Sequence, residues 1–199
     1  MPMARRRKKH SRQVVVYSSL IGVVTFTSVL LLALAPDPLA PLAGASLSAV
    51  HNPAELELVL QTDPRPQAGR WKYIYIRHSQ TASGNAATLG GAEGMGDHFL
   101  IGNGQGCQDG EIQLSQRWLK QAGSTIVDNP GCISILLVGD FNRTSPTNRQ
   151  QQRLVELLAL LQQRLEIPGG SVLMSDEPGN PAGIGGLFDQ GWLRANLLR

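Results

Sequence analysis

Residues 72–77 read KYIYIR, a short run in which polar and apolar side chains alternate. Alternation over a run rich in aromatic and β-branched residues predicts a β-strand with one buried face. Neighbouring side chains on a strand point to opposite faces. One face carries aromatic and basic groups, and the other carries aliphatic groups and a histidine: Tyr73, Tyr75 and Arg77 against Ile74, Ile76 and His78.

The rest of the C-terminal half contains further strands and one long helix. Residues 133–138 (ISILLV) are almost wholly apolar, which predicts a central strand covered on both faces. Shorter strands are predicted at 97–101, 111–114 and 171–174. Leucines at helical spacing follow Ser145 and Pro146 as far as Leu165, which predicts an amphipathic helix. Strands interleaved with a long helix indicate an α/β domain.

Charge is distributed unevenly along the 199 residues. Residues 1–13 contain six Lys and Arg and no acid, and the rest of the chain holds twelve Lys and Arg against fifteen Asp and Glu. The body is therefore weakly acidic, and nucleic acid is not an expected partner. The glycine-rich run 102–110 lacks the Gly-Lys-Ser/Thr ending of a phosphate-binding loop. A serine-hydrolase Gly-x-Ser-x-Gly elbow is also absent from the sequence.

An uncharged stretch follows the basic cluster and covers the 22 residues 14–35. As a helix it would span about 33 Å, close to the thickness of a bilayer core. We expect an uncleaved, single-pass signal anchor with a cytoplasmic N terminus and an exported C-terminal body in the cell membrane. A cleaved signal peptide is one alternative, although Pro36 directly follows the Ala-x-Ala pattern at 33–35. A buried core helix is the other.

These features predict four segments: a basic cytoplasmic tail (1–13), a transmembrane anchor (14–35), a proline-rich linker (36–68) and a compact domain (69–199). The linker contains six prolines, a composition typical of an extended tether. Cys107 and Cys132 would lie in an exported compartment, where they could oxidise to a disulfide. The sequence leaves open whether the two cysteines are close enough to pair.

Several motifs occur in an order that resembles the zinc-dependent N-acetylmuramoyl-L-alanine amidases of the peptidoglycan recognition protein type. They read WKYIYIRHSQTASGN (71–85), GMGDHFLIGNG (94–104), DGEI (109–112), RW, KQ, ISILLVGDFN (133–142) and SPT (145–147). The similarity covers about residues 69–190. It implies a mixed β-sheet flanked by helices, with a cleft that binds peptidoglycan or a muramyl peptide.

The resemblance also implies where catalytic groups would stand. Active members hold zinc with two His and commonly a Cys, leave one position for water, and use a nearby Tyr. At the corresponding positions this chain has Arg77, Ser175 and Gly183 for the three ligands and Asp97 for the Tyr. An arginine cannot ligate zinc because it stays protonated. We therefore predict no catalytic residues, no metal site and no zinc cofactor, as in a pseudoenzyme.

The prediction is thus a membrane-anchored, exported, amidase-like domain that binds peptidoglycan without zinc catalysis. Arg77, Asp97 and Tyr75 are the candidate cleft residues. Arg77 could form an internal ion pair with Asp97 if their strands lie side by side, could contact a ligand carboxylate, or could face solvent. Tyr75 could stack on a sugar or simply cover the sheet.

Two other functions stay open. One is an active N-acetylmuramoyl-L-alanine amidase, which cleaves the muramoyl–L-alanine bond, with a displaced metal site. Its soft ligands would come from His78, His98, Cys107 and Cys132, which could equally be packed structural groups. The other is a protein–protein scaffold at the cell envelope.

Overall fold

The computed structural model describes Val23, the backbone of Ser46–Leu47, residues 56–174 and residues 183–198. The chain divides into two compact units, residues 1–41 and 42–199. Val23, in a helix, is the described residue of the first unit, so the predicted tail, the predicted anchor apart from Val23, and most of the linker lie outside the described residues. In the part of the chain that is described, no helix combines the length and apolar character that a bilayer crossing requires.

A mixed sheet forms the centre of the second unit. Its strands within the described residues are β1 (Ser46–Leu47), β2 (Tyr73–His78), β3 (Phe99–Ile101), β4 (Ile112–Leu114), β5 (Cys132–Leu137) and β6 (Val172–Met174). The order across the sheet is β1-β4-β3-β5-β2-β6. Strands β3, β5, β2 and β6 run parallel, whereas β4 is antiparallel to both β1 and β3. The predicted mixed α/β architecture is therefore confirmed.

Four α-helices accompany the sheet in the described residues: α1 (Ala86–Gly90), α2 (Gln116–Leu119), α3 (Asn148–Leu165) and α4 (Gln190–Ala195). Single 3₁₀ turns occur at Glu57–Leu60, Gly91–Glu93 and Gly169–Ser171. The long helix α3 begins slightly later than the sequence predicts. Thr147 is its N-cap, since its side chain accepts the Gln150 N–H and the Gln150 side chain accepts the Thr147 N–H.

The buried core lies mainly between α3 and one face of the sheet. All six residues of β5 are buried, as expected for a central strand covered on both faces. Isoleucines of β2 and β5 are adjacent in register, Ile74 with Ile133 and Ile76 with Ile135, and they share a cluster with the leucines of α3. A smaller cluster containing Leu100 and Leu136 covers the opposite face.

The packed domain extends further toward the N terminus than the predicted start at residue 69. Leu56 and Val59 are buried in the main core. The indole Nε1–H of Trp118 donates to the Val59 carbonyl at 2.6 Å. Ser46–Leu47 of β1 and the buried Leu56 and Val59 all fall within the predicted linker 36–68, whose proline-rich composition does not report these contacts with the domain.

Candidate functional site

Arg77 lies near the carboxyl end of β2, on the face opposite the main core. The strand shows the predicted alternation, with Ile74, Ile76 and His78 buried and the other side chains more accessible. The Arg77 guanidinium meets the carboxylate of Asp97 in a bidentate pair, with Nε donating to Oδ1 at 3.1 Å and Nη2 to Oδ2 at 2.6 Å. The Asp97 side chain is fully buried, and that of Arg77 is 17% exposed.

The ion pair reaches across a strand rather than between neighbours. The sequence offered an internal ion pair as one of three alternatives, on the condition that the two strands were adjacent, but β5 lies between β2 and β3. Arg77 is in register with Leu136 of β5, and the backbone N–H of His98 donates to the Ser134 carbonyl of the same strand. The long arginine side chain therefore spans β5 to reach Asp97. Strand order depends on crossover connections, which local sequence patterns do not report.

The ion pair offsets the cost of burying the Asp97 carboxylate. A buried carboxylate without a partner would carry a large desolvation cost, and two charge-assisted hydrogen bonds offset it. Nη1 of Arg77 has no hydrogen-bond partner among the described residues, so one edge of the guanidinium faces outward. The ion pair is thus a rigid polar group in which the Nη1 donor of Arg77 remains accessible.

His78 is directed away from Arg77, into the opposite side of the sheet. Its Nδ1 accepts the backbone N–H of Phe141 at 2.9 Å and lies 3.2 Å from the Gly139 carbonyl. Its ring stacks on Phe141 with centroids 5.4 Å apart. Burial lowers the pKa of His78, partly opposed by the Gly139 carbonyl. The imidazole is a packing and hydrogen-bonding group of the β5–α3 loop.

His98 is enclosed by aromatic side chains. Its ring meets those of Trp71 and Trp118 edge to face at centroid distances of 5.1 and 6.0 Å. Nδ1 accepts the Ser134 N–H at 3.0 Å and Nε2 donates to the Ala122 carbonyl at 2.8 Å, which defines the neutral Nε2–H tautomer. Burial lowers the pKa of His98 to about 4. Both ring nitrogens are occupied, so neither is available to a metal.

The structure places one of the other substituted positions beside Arg77. The backbone N–H of His78 donates to the Gly183 carbonyl at 3.2 Å, which brings Gly183 to the carboxyl end of β2. Strand β6 ends at Met174, opposite Ile76, and Ser175 lies outside the described residues. Arg77 and Gly183 therefore lie at the carboxyl edge of the sheet, and the Arg77 side chain reaches back to Asp97, which precedes β3.

The described side chains at this edge do not fit a zinc ion. Among residues 56–174 and 183–198, no three His, Cys, Asp or Glu side chains converge on a common point. The guanidinium of Arg77 is a cation whose donors already engage Asp97. The sequence contains no His after His98 and no Cys after Cys132. The described groups at this edge therefore offer zinc one carboxylate, which is already paired, and no second ligand.

The cysteine pairing that the sequence left open is not formed, because both thiols are free. Cys132 is the first residue of β5. The Cys107 sulfur lies beside Gly102, the residue after β3, since a Cβ built on Gly102 would be only 2.5 Å from it. Ile101 is opposite Leu137, five residues along β5 from Cys132. Five strand residues span about 16 Å, far beyond disulfide reach. Burial raises the pKa of each thiol to about 11.

Tyrosines share the sheet face of Arg77. Tyr73 is exposed and Tyr75 is half-buried, and Tyr75 is in register with the exposed Leu173 of β6. These side chains form an accessible apolar surface beside the ion pair. A separate groove of about 580 Å³ lies between α1 and α2, lined in part by Met95, Gln113 and Arg117, and the ion pair does not line it.

No sequence pattern predicted the role of Gln121 in the packing around His98. Gln121 is buried with a left-handed backbone (φ 51°). Its side-chain oxygen accepts the Trp71 indole N–H at 3.0 Å, and its amide nitrogen donates to the Trp118 carbonyl at 2.6 Å. The Arg70 guanidinium donates to the Gln121 carbonyl. Gln121 thereby fixes the aromatic enclosure of His98, although a glutamine after a short helix gives no pattern that predicts burial.

Comparisons with known proteins give the following resemblances. The chain is similar to the endolysin N-acetylmuramoyl-L-alanine amidase LysCS of Clostridium intestinale URNW, with 17% identity, a TM-score of 0.44, and coverage of 67% of this chain and 90% of the amidase. It is similar to the amidase LysC of the same organism at 17% identity and a TM-score of 0.44 (67% and 91% coverage). It is also similar to PGRP-Hd of Alvinella pompejana at 17% identity and a TM-score of 0.42 (66% and 86% coverage). No family model and no curated protein matches the sequence.

Proposed function

We propose that this protein is a membrane-anchored, exported module that binds a muramyl peptide of peptidoglycan and does no zinc chemistry. The observation that carries the proposal is the bidentate Arg77–Asp97 pair. In the motif order of the zinc amidases, Arg77 occupies the position of the first zinc ligand and Asp97 that of the tyrosine. The anchor is supported by the uncharged stretch 14–35 and its flanking cations.

The site is suited to recognition because its polar groups are held rigidly. Asp97 fixes the plane of the guanidinium through two hydrogen bonds, so little side-chain entropy remains to be lost when a ligand binds. The outward edge of Arg77 can donate to a carboxylate of a stem peptide. Tyr73 and Tyr75 on the same face can cover the apolar faces of a sugar.

The test is calorimetric titration of residues 42–199 with a muramyl tripeptide. The double substitution Arg77→Gln with Asp97→Asn removes both charges together, so neither is left buried without a counter-ion, and it separates ligand binding from folding. We expect the double variant to bind at least tenfold more weakly, since a charge-assisted hydrogen bond is lost. Arg143→Gln is the matched control, because Arg143 pairs with Asp140 at the surface with its side chain 85% exposed. Equal affinity of the wild type and the double variant would contradict the proposal.

A further inference from the structure

The loop between β5 and α3 contains an acceptor motif for N-linked glycosylation. Residues 142–144 read Asn-Arg-Thr, which matches Asn-x-Ser/Thr with a middle residue other than proline. The sequence has eight asparagines, and the other seven lack Ser or Thr two residues later. Such a motif is used on a surface loop of an exported protein, so the accessibility of residues 142–144 decides what it can do.

The Asn-Arg-Thr triplet lies exposed between two buried residues. Phe141 is 1% exposed and stacks on the His78 ring with centroids 5.4 Å apart, and Pro146 is also buried. Residues 142–145 between them are all exposed, and the Arg143 side chain is 85% exposed. The loop is therefore held at both ends and presents the triplet to solvent.

Asp140 holds the backbone of the triplet. Its carbonyl accepts the N–H of Arg143 at 2.9 Å and that of Thr144 at 3.0 Å. Its carboxylate accepts the N–H of Asn142 at 3.2 Å. These bonds fix the turn through backbone groups, and the Asn142 side chain takes no part in them.

The side-chain nitrogen of Asn142 is the group to which a glycan would be attached. Among the described residues, its Oδ1 accepts the Gly186 N–H at 3.4 Å, and no hydrogen bond engages its Nδ2. By contrast, Asn85 and Asn103 each donate through Nδ2 to a backbone carbonyl, at 3.1 and 2.8 Å. The exposed Asn142 nitrogen can thus react without breaking a hydrogen bond of the fold.

We propose that Asn142 carries an N-linked oligosaccharide in the exported protein. This inference rests on the export proposed above, and not on binding of muramyl peptides. The co-substrate is a lipid-linked oligosaccharyl pyrophosphate, and the catalyst is a membrane-bound oligosaccharyltransferase. Nδ2 of Asn142 forms a bond to C1 of the first sugar while the bond from C1 to the pyrophosphate oxygen breaks. The lipid pyrophosphate leaves with the bonding electrons, and one amide proton passes to a base of the transferase.

Glycan transfer in vitro tests whether the folded chain is an acceptor. The full chain in detergent micelles is incubated with a single-subunit oligosaccharyltransferase and its lipid-linked oligosaccharide, and mass spectrometry of the intact protein and its peptides identifies the product. We expect one glycan per chain, at Asn142. Asn142→Gln should abolish the mass gain, and so should Thr144→Val, which removes the hydroxyl of the motif and keeps the side-chain shape. Thr144→Ser keeps the hydroxyl and should retain the modification.

Asn148 provides an internal control. It begins α3, is exposed, and is followed by Arg149, but Gln150 stands where the motif requires a hydroxyl, so it should stay unmodified. The proposal would be overturned if the full chain gained no glycan while a synthetic peptide of residues 138–147, or an unrelated acceptor peptide, was glycosylated in the same reaction. Attachment that survives Thr144→Val would also overturn it.

Expression in bacteria that carry a transferase facing the periplasm separates this inference from the proposed export. A glycan at Asn142 in these cells supports both. Transfer in vitro without a glycan in the cells would contradict export and would overturn the glycosylation that rests on it. Failure of transfer in vitro would overturn the glycosylation alone, because no muramyl peptide is present and the ligand site is not involved.

Discussion

Replacing Arg77 with methionine should destabilise the folded domain strongly. The substitution keeps most of the side-chain length but leaves Asp97, which is fully buried, without its cation. Loss of one partner of a buried ion pair costs about 3–5 kcal/mol. Because the Arg77 side chain is 17% exposed and solvent can partly reach the site, we expect about 3 kcal/mol. For a domain of this size that corresponds to a fall in Tm of about 6–12 °C.

A second substitution distinguishes the loss of the ion pair itself from the cost of leaving the Asp97 carboxylate buried without a partner. Asp97→Leu in the Arg77→Met background replaces the pair with apolar groups, and such replacements are often close to neutral. We expect the double variant to recover most of the lost stability. Arg143→Met is the matched control for breaking an exposed ion pair, and it should change the free energy of unfolding by less than about 1 kcal/mol.

Urea unfolding of residues 42–199, followed by tryptophan fluorescence, measures these free energies. Two of the three tryptophans, Trp71 and Trp118, are fully buried and report on the core directly. The reasoning would be refuted if Arg77→Met cost no more than Arg143→Met. It would also be refuted if the double variant were as unstable as the sum of its single substitutions.

Three further outcomes are expected. The pKa of His98 is about 4 in the folded protein and 6.5 in the unfolded chain, so the unfolded state binds more protons between these pH values. The free energy of unfolding should therefore fall by about 3 kcal/mol as the pH drops from 6.5 to 4. Urea titrations at each pH measure this slope, and His98→Asn should flatten it. Cys107 and Cys132, with thiol pKa values of about 11, should resist alkylation at pH 8 in the folded protein. Both should be alkylated after unfolding without reductant, because both thiols are free. A protein mass two hydrogens lower, with no alkylation, would indicate a disulfide and contradict this. Val59→Ala should cost about 1–3 kcal/mol because Val59 is fully buried, whereas Leu58→Ala, at a site 47% exposed, should change stability by less than about 1 kcal/mol.

Most of the sheet could be predicted from the sequence because its strands carry strong local patterns. The alternation in 72–77 identified β2 and both of its faces, and the apolar run 133–138 identified β5 as central. The strand predicted at 97–101 is shorter, since Asp97 and His98 precede β3: the Asp97 side chain pairs with Arg77, and the His98 ring accepts the N–H of Ser134 in β5. Their polar chemistry, rather than the period of the pattern, sets the start of that strand.

The ion pair could be expected from residue types, but not its geometry. Strand order places β5 between the two partners, and the sequence carries no local signal for that arrangement. The role of Gln121 was missed for a related reason, because its burial depends on where Trp71 and Trp118 meet in three dimensions. The open cysteine pairing likewise required the parallel register of β3 and β5.

Titration of residues 42–199 with a muramyl tripeptide, first with a metal chelator and then with added zinc, tests the central claim most directly. The account predicts binding of the same affinity in both conditions, with no release of the peptide from muramic acid. Binding that appears only with zinc, accompanied by zinc-dependent peptide release, would contradict it and would identify the protein as an amidase with a displaced metal site.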